Sequence, residues 1–463
     1  MSQPTKQLFG TDGIRGVAGE FPLTYESTYA IGRALGHDLK RNNAQARVVI
    51  GQDTRESSGW IADRVTLGLA SMGVAVESAG VITTPGVAYL ARLRRMAAGV
   101  VISASHNPWT DNGIKVFSGD GYKLPDAREL AIEQEIFALL QNPQPEAEPP
   151  SRPDPSLPGE ARLREAYIHW LGQSVAADLS GIRVLVDCAN GAATAEAPGL
   201  FRACGVKAEF MHCSPDGKNI NEHCGALHPS TVASAVSASK GQYDLGITFD
   251  GDADRALFSD ADGKVVNGDA VLLIAGRDMQ RRGALVGNTI VATTMSNMGL
   301  EVALKRAGIQ MLRANVGDKY VLEDMLKTGA TLGGEQSGHI LFRDGDATTG
   351  DGLLTALRLM EIMARSGGSL AELVGDLKVF PQTIQNVRVR EKVPFSQVPQ
   401  VQRAIENAEK ELDGNGRVVV RYSGTEALAR VMVEAETDDK MMAIAGSIAG
   451  AIKKHLGMDR GIE

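Results

Sequence analysis

The sequence predicts a multi-domain α/β protein, with three related α/β domains of mixed sheets followed by a smaller α+β domain. Three observations carry that prediction. The 463 residues exceed what one ordinary core holds and correspond to roughly three domains. Short apolar runs ending in Gly/Asp/Asn/Ser loops alternate with longer helical stretches, the pattern of crossover units. After "KVFPQ" (residues 378–382) the texture changes to alternating strands around one helix.

In chain order, "ARVVIGQDTR" (46–55), "VAVESAGVI" (74–82) and "AAGVVISAS" (97–105) are strands running into polar loops. "SGWIADRVTLGLASMG" (58–73) between the first two is a capped amphipathic helix. The proline- and acid-rich "QNPQPEAEPPSRPDPSLPGE" (141–160) can form neither a helix interior nor a central strand, and it ends a first domain, 1–152. "GIRVLVDCANGAAT" and "DLGITFDGDADR" then assign a second domain to 153–256, and "GNTIVATTMSNMGL" opens a third over 257–372. No internal sequence repeat accompanies these three strand-to-loop units. "NVRVR", "GRVVVRYSG" and "ARVMVEAE" are alternating strands around the helical "VPQVQRAIENAEKEL", which makes 373–463 the α+β domain.

Composition narrows the function. With 43 % hydrophobic and 22 % charged residues the balance is that of ordinary soluble domains, and no apolar run is long enough to cross a bilayer. The net charge of −8 argues against a nucleic-acid partner. No basic leader precedes an apolar stretch, so a cytoplasmic protein with reduced Cys188, Cys204, Cys213 and Cys224 is expected. His212-Cys213 and His223-Cys224 contain zinc-type ligands, but no tight Cys-x-x-Cys knuckle accompanies them.

Five stretches carry chemistry. In "ISASHNP" (102–108) an oily strand gives way to a turn, which places Ser105 exposed at a strand end with His106 beside it. The Gly-x-Ser-x-Gly elbow of a hydrolase is absent. "FDGDADR" spaces Asp250, Asp252 and Asp254 at alternate positions, so on an extended backbone three carboxylates converge and call for Mg²⁺ or Mn²⁺. An EF-hand is excluded by Arg255 after the third Asp and by Ala261 at the twelfth position. "GGEQSGH" (333–339) offers Glu335, Gln336, Ser337 and His339 between glycines, a set suited to a polyhydroxylated substrate. "RYSGTE" (421–426) collects Arg421, Ser423, Gly424 and Thr425 into a donor nest suited to a phosphate dianion, with Arg430 as a second fork. "FGTDGIRG" (9–16) brings Arg15 between glycines, and Lys115 lies in the Ser105 segment.

Taken in order, "GTDGIRG", "SASHNPWTDNGIKVF", "DGDADR", "GGEQSGH" and "RYSGTE" resemble the site loops of the α-D-phosphohexomutase superfamily over nearly the whole chain. Gln336 and the neighbouring motifs are most similar to the branch acting on glucosamine phosphate; mutases of mannose and glucose phosphates carry a different residue there. The resemblance implies four domains around a central cleft, closed over the substrate by the C-terminal one. It implies a phosphoserine at Ser105 and one Mg²⁺ held by Asp250, Asp252, Asp254 and the phosphoserine. Glu335 and Ser337 would hold sugar hydroxyls, and Arg421, Ser423, Gly424, Thr425 and Arg430 the non-reacting phosphate. Arg15, His106, Lys115, Arg255 and His339 would surround the transfer, with Lys115 and His339 moving protons.

The implied reaction interconverts glucosamine 6-phosphate and glucosamine 1-phosphate through a 1,6-bisphosphate, with glucose or glucosamine 1,6-bisphosphate as activator. Its product would feed UDP-N-acetylglucosamine and cell-wall synthesis, in a monomer or homodimer. Mutase activity on mannose or glucose phosphates, a Mg²⁺-dependent sugar-phosphate phosphatase with Asp250 as nucleophile, and a non-catalytic sugar-phosphate binder are the alternatives. Tyr422 and Ala427 stand where the superfamily's phosphate loop has prolines, which removes φ restraints from that loop.

Overall fold

The computed structural model describes residues 6–142, 159–422 and 427–457. Its chain packs into two compact units, Met1–Met295 with Ile309–Gly375, and Ser296–Gly308 with Asp376–Glu463.

The larger unit contains three sheets. The first uses β1 (Phe9–Gly10), β2 (Gly13–Val17), β3 (Arg47–Gln52), β4 (Ala75–Val81), β5 (Ala98–Ile102) and β6 (Asp111–Ser118), in the order β1-β2-β6-β5-β3-β4. The second uses β7 (Arg183–Asp187), β8 (Lys207–Met211), β9 (Leu245–Phe249), β10 (Ala256–Asp260) and β11 (Val265–Val266), in the order β11-β10-β9-β7-β8. The third uses β12 (Thr289–Thr293), β13 (Gln310–Ala314), β14 (Leu332–Gly334) and β15 (Ile340–Phe342), in the order β13-β12-β14-β15.

One motif recurs in all three. A central strand has parallel partners on both sides, and the third strand turns back into an antiparallel fourth, as in β4-β3-β5-β6, β8-β7-β9-β10 and β13-β12-β14-β15. The relation between the three α/β domains is therefore topological, and the sheets are mixed as expected.

Burial explains why the central strands read as continuous apolar runs. In β3 and β5, Val48, Ile50, Val100 and Ile102 pack towards helices Tyr25–Asn42, Ser58–Ser71 and Asp126–Gln141. Val49 and Val101 point the other way, into a core with Val87, Leu90 and Leu163. Both faces are covered, so alternation in direction leaves no alternation in polarity.

The helix Ser58–Ser71 forms as expected, but its cap differs: Ser57 is the N-cap and makes no side-chain capping bond. Its hydroxyl instead accepts from Asn112 Nδ2 at 2.8 Å, and Ser58 Oγ donates to Asp53 at 2.7 Å. These serines are committed to the loop network of the site.

The smaller unit is α+β. Strands β16 (Gln382–Arg388), β17 (Gly416–Tyr422) and β18 (Leu428–Ala435) form an antiparallel sheet in the order β16-β18-β17. Ile444, Ile448 and Ile452 of the helix Asp438–Leu456 join Val431 and Val433 in its core. The helix Met298–Arg306 belongs to this unit, docked through Asn297, which bonds the Phe380 carbonyl and N–H at 2.9 Å each.

Candidate active site

The topological repeat positions the site. The Ser105 loop joins β5 to β6, the aspartate loop joins β9 to β10, and "GGEQSGH" joins β14 to β15. Three equivalent hairpins of three equivalent sheets thus supply the three groups of residues.

Ser105 sits at the end of its strand but is 1 % exposed, so the expected exposure is wrong. The aspartate loop folds over it, and Ser105 Oγ donates to Asp250 Oδ2 at 2.6 Å. Ser105 has a left-handed backbone (φ +54°), which costs a non-glycine residue on the order of 1–3 kcal/mol. Anchors hold it there. Its N–H donates to Ser103 Oγ at 2.9 Å, and its carbonyl accepts from Arg55 and from Asn221 Nδ2, each at 2.9 Å. Arg55 also donates to the carbonyls of Asn107, Pro108 and Asp111, while Asp53 pairs with it at 2.8 Å. Arg55, Asp53 and Asn221 hold the serine loop, and the sequence reading missed them; "QDTR" was legible as a polar loop after a strand, not as a clamp.

The three carboxylates converge, each offering an oxygen within 4.8 Å of the others, and all are buried. They do so on a turn, with Ala253 at φ +52°, and not by alternation along an extended strand. Lys115, fully buried, lies 2.8 Å from Asp252, 3.5 Å from Asp254 and 2.9 Å from Asp12. Burial would lower its pKa, but these three carboxylates outweigh it and hold the ammonium well above its ordinary value. Asp250 is pushed well up by burial and by the charges of Asp254 and Asp252. Two buried oxygens, Asp252 Oδ1 and Asp254 Oδ1, have no hydrogen-bond partner. Orphaned oxygens in an all-carboxylate cluster beside a serine hydroxyl fit a hard divalent cation such as Mg²⁺.

Beside the cluster opens a cleft of about 470 Å³, lined among others by Arg15, His106, Asp254, Arg255, Glu335 and His339. Ser105, Lys115, Asp250 and Asp252 lie behind these groups, buried. Arg255 and Ser105 Oγ both lie 3.3 Å from His106 Nδ1. Burial, Arg255 and Arg15 lower the His106 pKa, so the ring is neutral at pH 7. His339 accepts the Gly350 N–H at Nε2 (3.1 Å), which leaves its proton on Nδ1, 3.7 Å from Asp254. Asp12 and Asp318 also line the cleft, joined by Lys123 at 2.7 and 2.6 Å. Neither was anticipated, although Asp12 stood in the quoted "FGTDGIRG".

In the third loop, Glu335 accepts the Gly317 N–H at 3.1 Å, and the exposed Ser337 donates to Glu335 at 3.5 Å. Gln336 donates to Asp269 at 3.2 Å, anchoring the loop to the start of the helix Gly268–Arg281.

In the smaller unit, Arg421 and Arg430 are directly opposed across β17 and β18. Ser423, Gly424 and Thr425 lie outside the described residues. Tyr422 donates its hydroxyl to the Val393 carbonyl at 2.6 Å and stacks on Phe395 at 4.4 Å, so this departure from proline supplies an anchor of another kind.

Comparison with known proteins assigns the chain to a family. Family models described as phosphoglucomutase/phosphomannomutase match four successive segments: α/β/α domain I over 6–143, domain II over 165–263, domain III over 267–380 and the C-terminal domain over 385–451. The phosphoglucosamine mutase of Koribacter versatilis is 62 % identical over 459 residues, 99 % of each chain. A phosphoglucomutase/phosphomannomutase family protein from Burkholderia thailandensis has the same fold, with a TM-score of 0.78 at 24 % identity over 96 % of this chain and 97 % of that one. The N-acetylphosphoglucosamine mutase of Aspergillus fumigatus, solved with GlcNAc-6P and magnesium, gives 0.65 at 18 % identity over 97 % and 96 %.

Proposed function

Because the chain belongs to the phosphoglucosamine mutases of the phosphoglucomutase/phosphomannomutase family, we propose that Ser105 carries the phosphoryl group this isomerase moves between the 6- and 1-positions of glucosamine phosphate. The observation that carries the reading is Ser105 Oγ held 2.6 Å from Asp250, behind a cleft lined by Arg15, His106 and Arg255. Phosphoryl transfer depends on alignment and charge stabilisation, and these groups provide both.

Phosphorylated Ser105 donates to O1 of glucosamine 6-phosphate. The resulting 1,6-bisphosphate reverses in the cleft, and its 6-phosphate returns to the Ser105 oxygen as glucosamine 1-phosphate leaves. Asp250, Asp252 and Asp254, with an oxygen of the Ser105 group, would hold Mg²⁺, which neutralises charge on the transferring group when bound. Arg15 and Arg255 stabilise the phosphoryl oxygens, and neutral His106 accepts a hydrogen bond from Arg255 at Nδ1 and orients it. Lys115, charged in the resting state, gives a proton to the Ser105 oxygen as that oxygen leaves and recovers it in the return half-reaction. His339 takes the proton of the attacking sugar hydroxyl at Nε2, releasing the Gly350 N–H it accepts at rest, and returns that proton to the leaving sugar oxygen in the second half-reaction.

Glu335 and Ser337 bind sugar hydroxyls. Arg421, Ser423, Gly424, Thr425 and Arg430 grip the phosphate that is not transferring. Glucose or glucosamine 1,6-bisphosphate primes Ser105. The first domain ends near residue 152, which lies outside the described residues, and the third near 372; the second runs past the expected 256, because β10 and β11 complete its sheet through Val266. The enzyme works as a monomer or homodimer on a small-molecule substrate in the cytoplasm. Among the described residues no helix is long and apolar enough to cross a membrane.

The test is peptide mapping of Ser105 together with turnover of glucosamine 6-phosphate in Mg²⁺ and glucose 1,6-bisphosphate. The proposal expects one HPO₃ group on the Ser105 peptide, product formation, and loss of both in Ser105→Ala. Turnover that survives Ser105→Ala would overturn it in favour of a phosphatase; conversion of mannose or glucose phosphates alone would overturn the substrate.

A further inference from the structure

The second sheet carries a cluster that the mutase chemistry does not use. Asp187 ends β7, His212 follows β8, and Cys224 precedes the short turn Gly225–Leu227. Their ligand-type atoms lie within 4.8 Å of one another, brought together from three separate loops. Asp187 and Cys224 are completely buried, and the His212 side chain is 30 % exposed, which leaves a path from solvent.

The cluster is incompletely satisfied. Asp187 Oδ1 accepts the Ala189 N–H at 2.8 Å and Oδ2 the Gly225 N–H at 3.0 Å, so the carboxylate is rigidly aimed. His212 Nδ1 is buried 3.2 Å from Asp187 Oδ1 yet has no hydrogen-bond partner. That separation is close to the edge of a zinc tetrahedron, roughly 3.3–3.7 Å for bonds of about 2.0–2.3 Å. The buried Cys224 thiol lies beside the Asp187 carboxylate, and a cation between them would bind the sulfur as thiolate, because coordination deprotonates a thiol outright.

We propose that Asp187, His212 and Cys224 form a second metal site, for zinc or a cation of the same borderline class, distinct from the carboxylate cluster. One oxygen, one imidazole nitrogen and one sulfur suit that class and not Mg²⁺, and three protein ligands leave a fourth position for water. The site ties together loops that support the catalytic ones. Ala192 N–H donates to the Gly251 carbonyl at 2.8 Å, Thr54 Oγ1 donates to the Asn190 carbonyl at 2.5 Å, and Asn221 holds the Ser105 carbonyl. Its role is structural, stiffening the frame behind the serine loop.

The test titrates the metal-free, full-length protein with Co²⁺ as a spectroscopic probe. With the carboxylate cluster kept filled by excess Mg²⁺, the expected result is one equivalent of Co²⁺ bound, with a thiolate-to-cobalt charge-transfer band and tetrahedral d–d bands. Zn²⁺ displaces it and excess Mg²⁺ does not. Cys224→Ser abolishes the charge-transfer band, and His212→Ala weakens binding at least tenfold. His212→Cys, at a partly exposed position, strengthens the band and keeps the test informative if Cys224→Ser misfolds. Cys188 and Cys213, neighbours of each other, are the competing thiols. Absence of a thiolate band in the unsubstituted protein overturns the proposal, as does a band that survives Cys224→Ser but is lost in Cys213→Ser. Binding that vanishes only in Asp252→Asn would place the cobalt in the carboxylate cluster and also overturn it.

Discussion

Replacing Gly251 by Ala tests whether the geometry behind Ser105 limits phosphoryl transfer. A Cβ at Gly251 would lie 2.4 Å from the Ser105 carbonyl oxygen, 2.8 Å from Ile220 Cδ1 and 2.9 Å from Asn221 Nδ2. Ordinary carbon contacts begin near 3.4 Å, so the methyl group demands a shift of about 1 Å. The Ser105 carbonyl cannot supply it freely, since Arg55 and Asn221 hold it from two sides. The new methyl also pushes on Asn221, the donor of one of those bonds. The displacement therefore passes to the aspartate loop or to Ser105 itself, and the 2.6 Å Ser105–Asp250 contact opens. A misplacement of about 1 Å at a reacting group costs about 10²-fold in rate, which is about 2.7 kcal/mol of barrier.

The assay is coupled conversion of glucosamine 6-phosphate, with kcat and KM measured separately and Ser105 phosphorylation followed by intact mass. We expect kcat to fall about a hundredfold, with KM little changed and the protein still folded by thermal melting. A Gly251→Ala enzyme with kcat within about threefold of the parent would refute the reasoning, because it would show that the two loops slide past each other without consequence.

Two further predictions follow from buried groups. Arg55→Lys keeps the charge but cannot span four carbonyls and Asp53, so at least two charge-assisted bonds are lost, about 3 kcal/mol in all. Both kcat and the melting temperature should fall, and a variant matching the parent in both would show the clamp to be dispensable. Asp351 is raised from 3.8 to about 6, chiefly by burial, although it accepts from Leu354 N–H and the Tyr167 hydroxyl. The folded state then binds this proton more tightly than the unfolded state. Its contribution is fully present below about pH 4 and is lost as pH rises through about 6, by about 3 kcal/mol. Asp351→Asn should flatten the fall in stability between those pH values in denaturant titrations, and an unchanged pH slope would contradict the assignment.

The sequence by itself determined which loops matter and what chemistry they hold. Gly, Asp, Ser and His after an apolar strand are legible because a core strand cannot continue through them. Donor type at Asp250, Asp252 and Asp254 names the class of cation without any coordinates. The α/β and α+β textures were legible for the same reason, since hydrophobic period is a local property. Tertiary structure decided what depends on residues far apart in the chain. Ser105 is buried because a hairpin some 145 residues later closes over it. Arg55, Asn221 and Asp12 acquire partners only in other loops, and Gln336 bonds Asp269 because the helix Gly268–Arg281 begins beside it. The kinship of the three sheets also appears only in space: strand order and direction recur where the amino-acid sequence does not, because packing constrains where apolar groups lie more tightly than which ones they are.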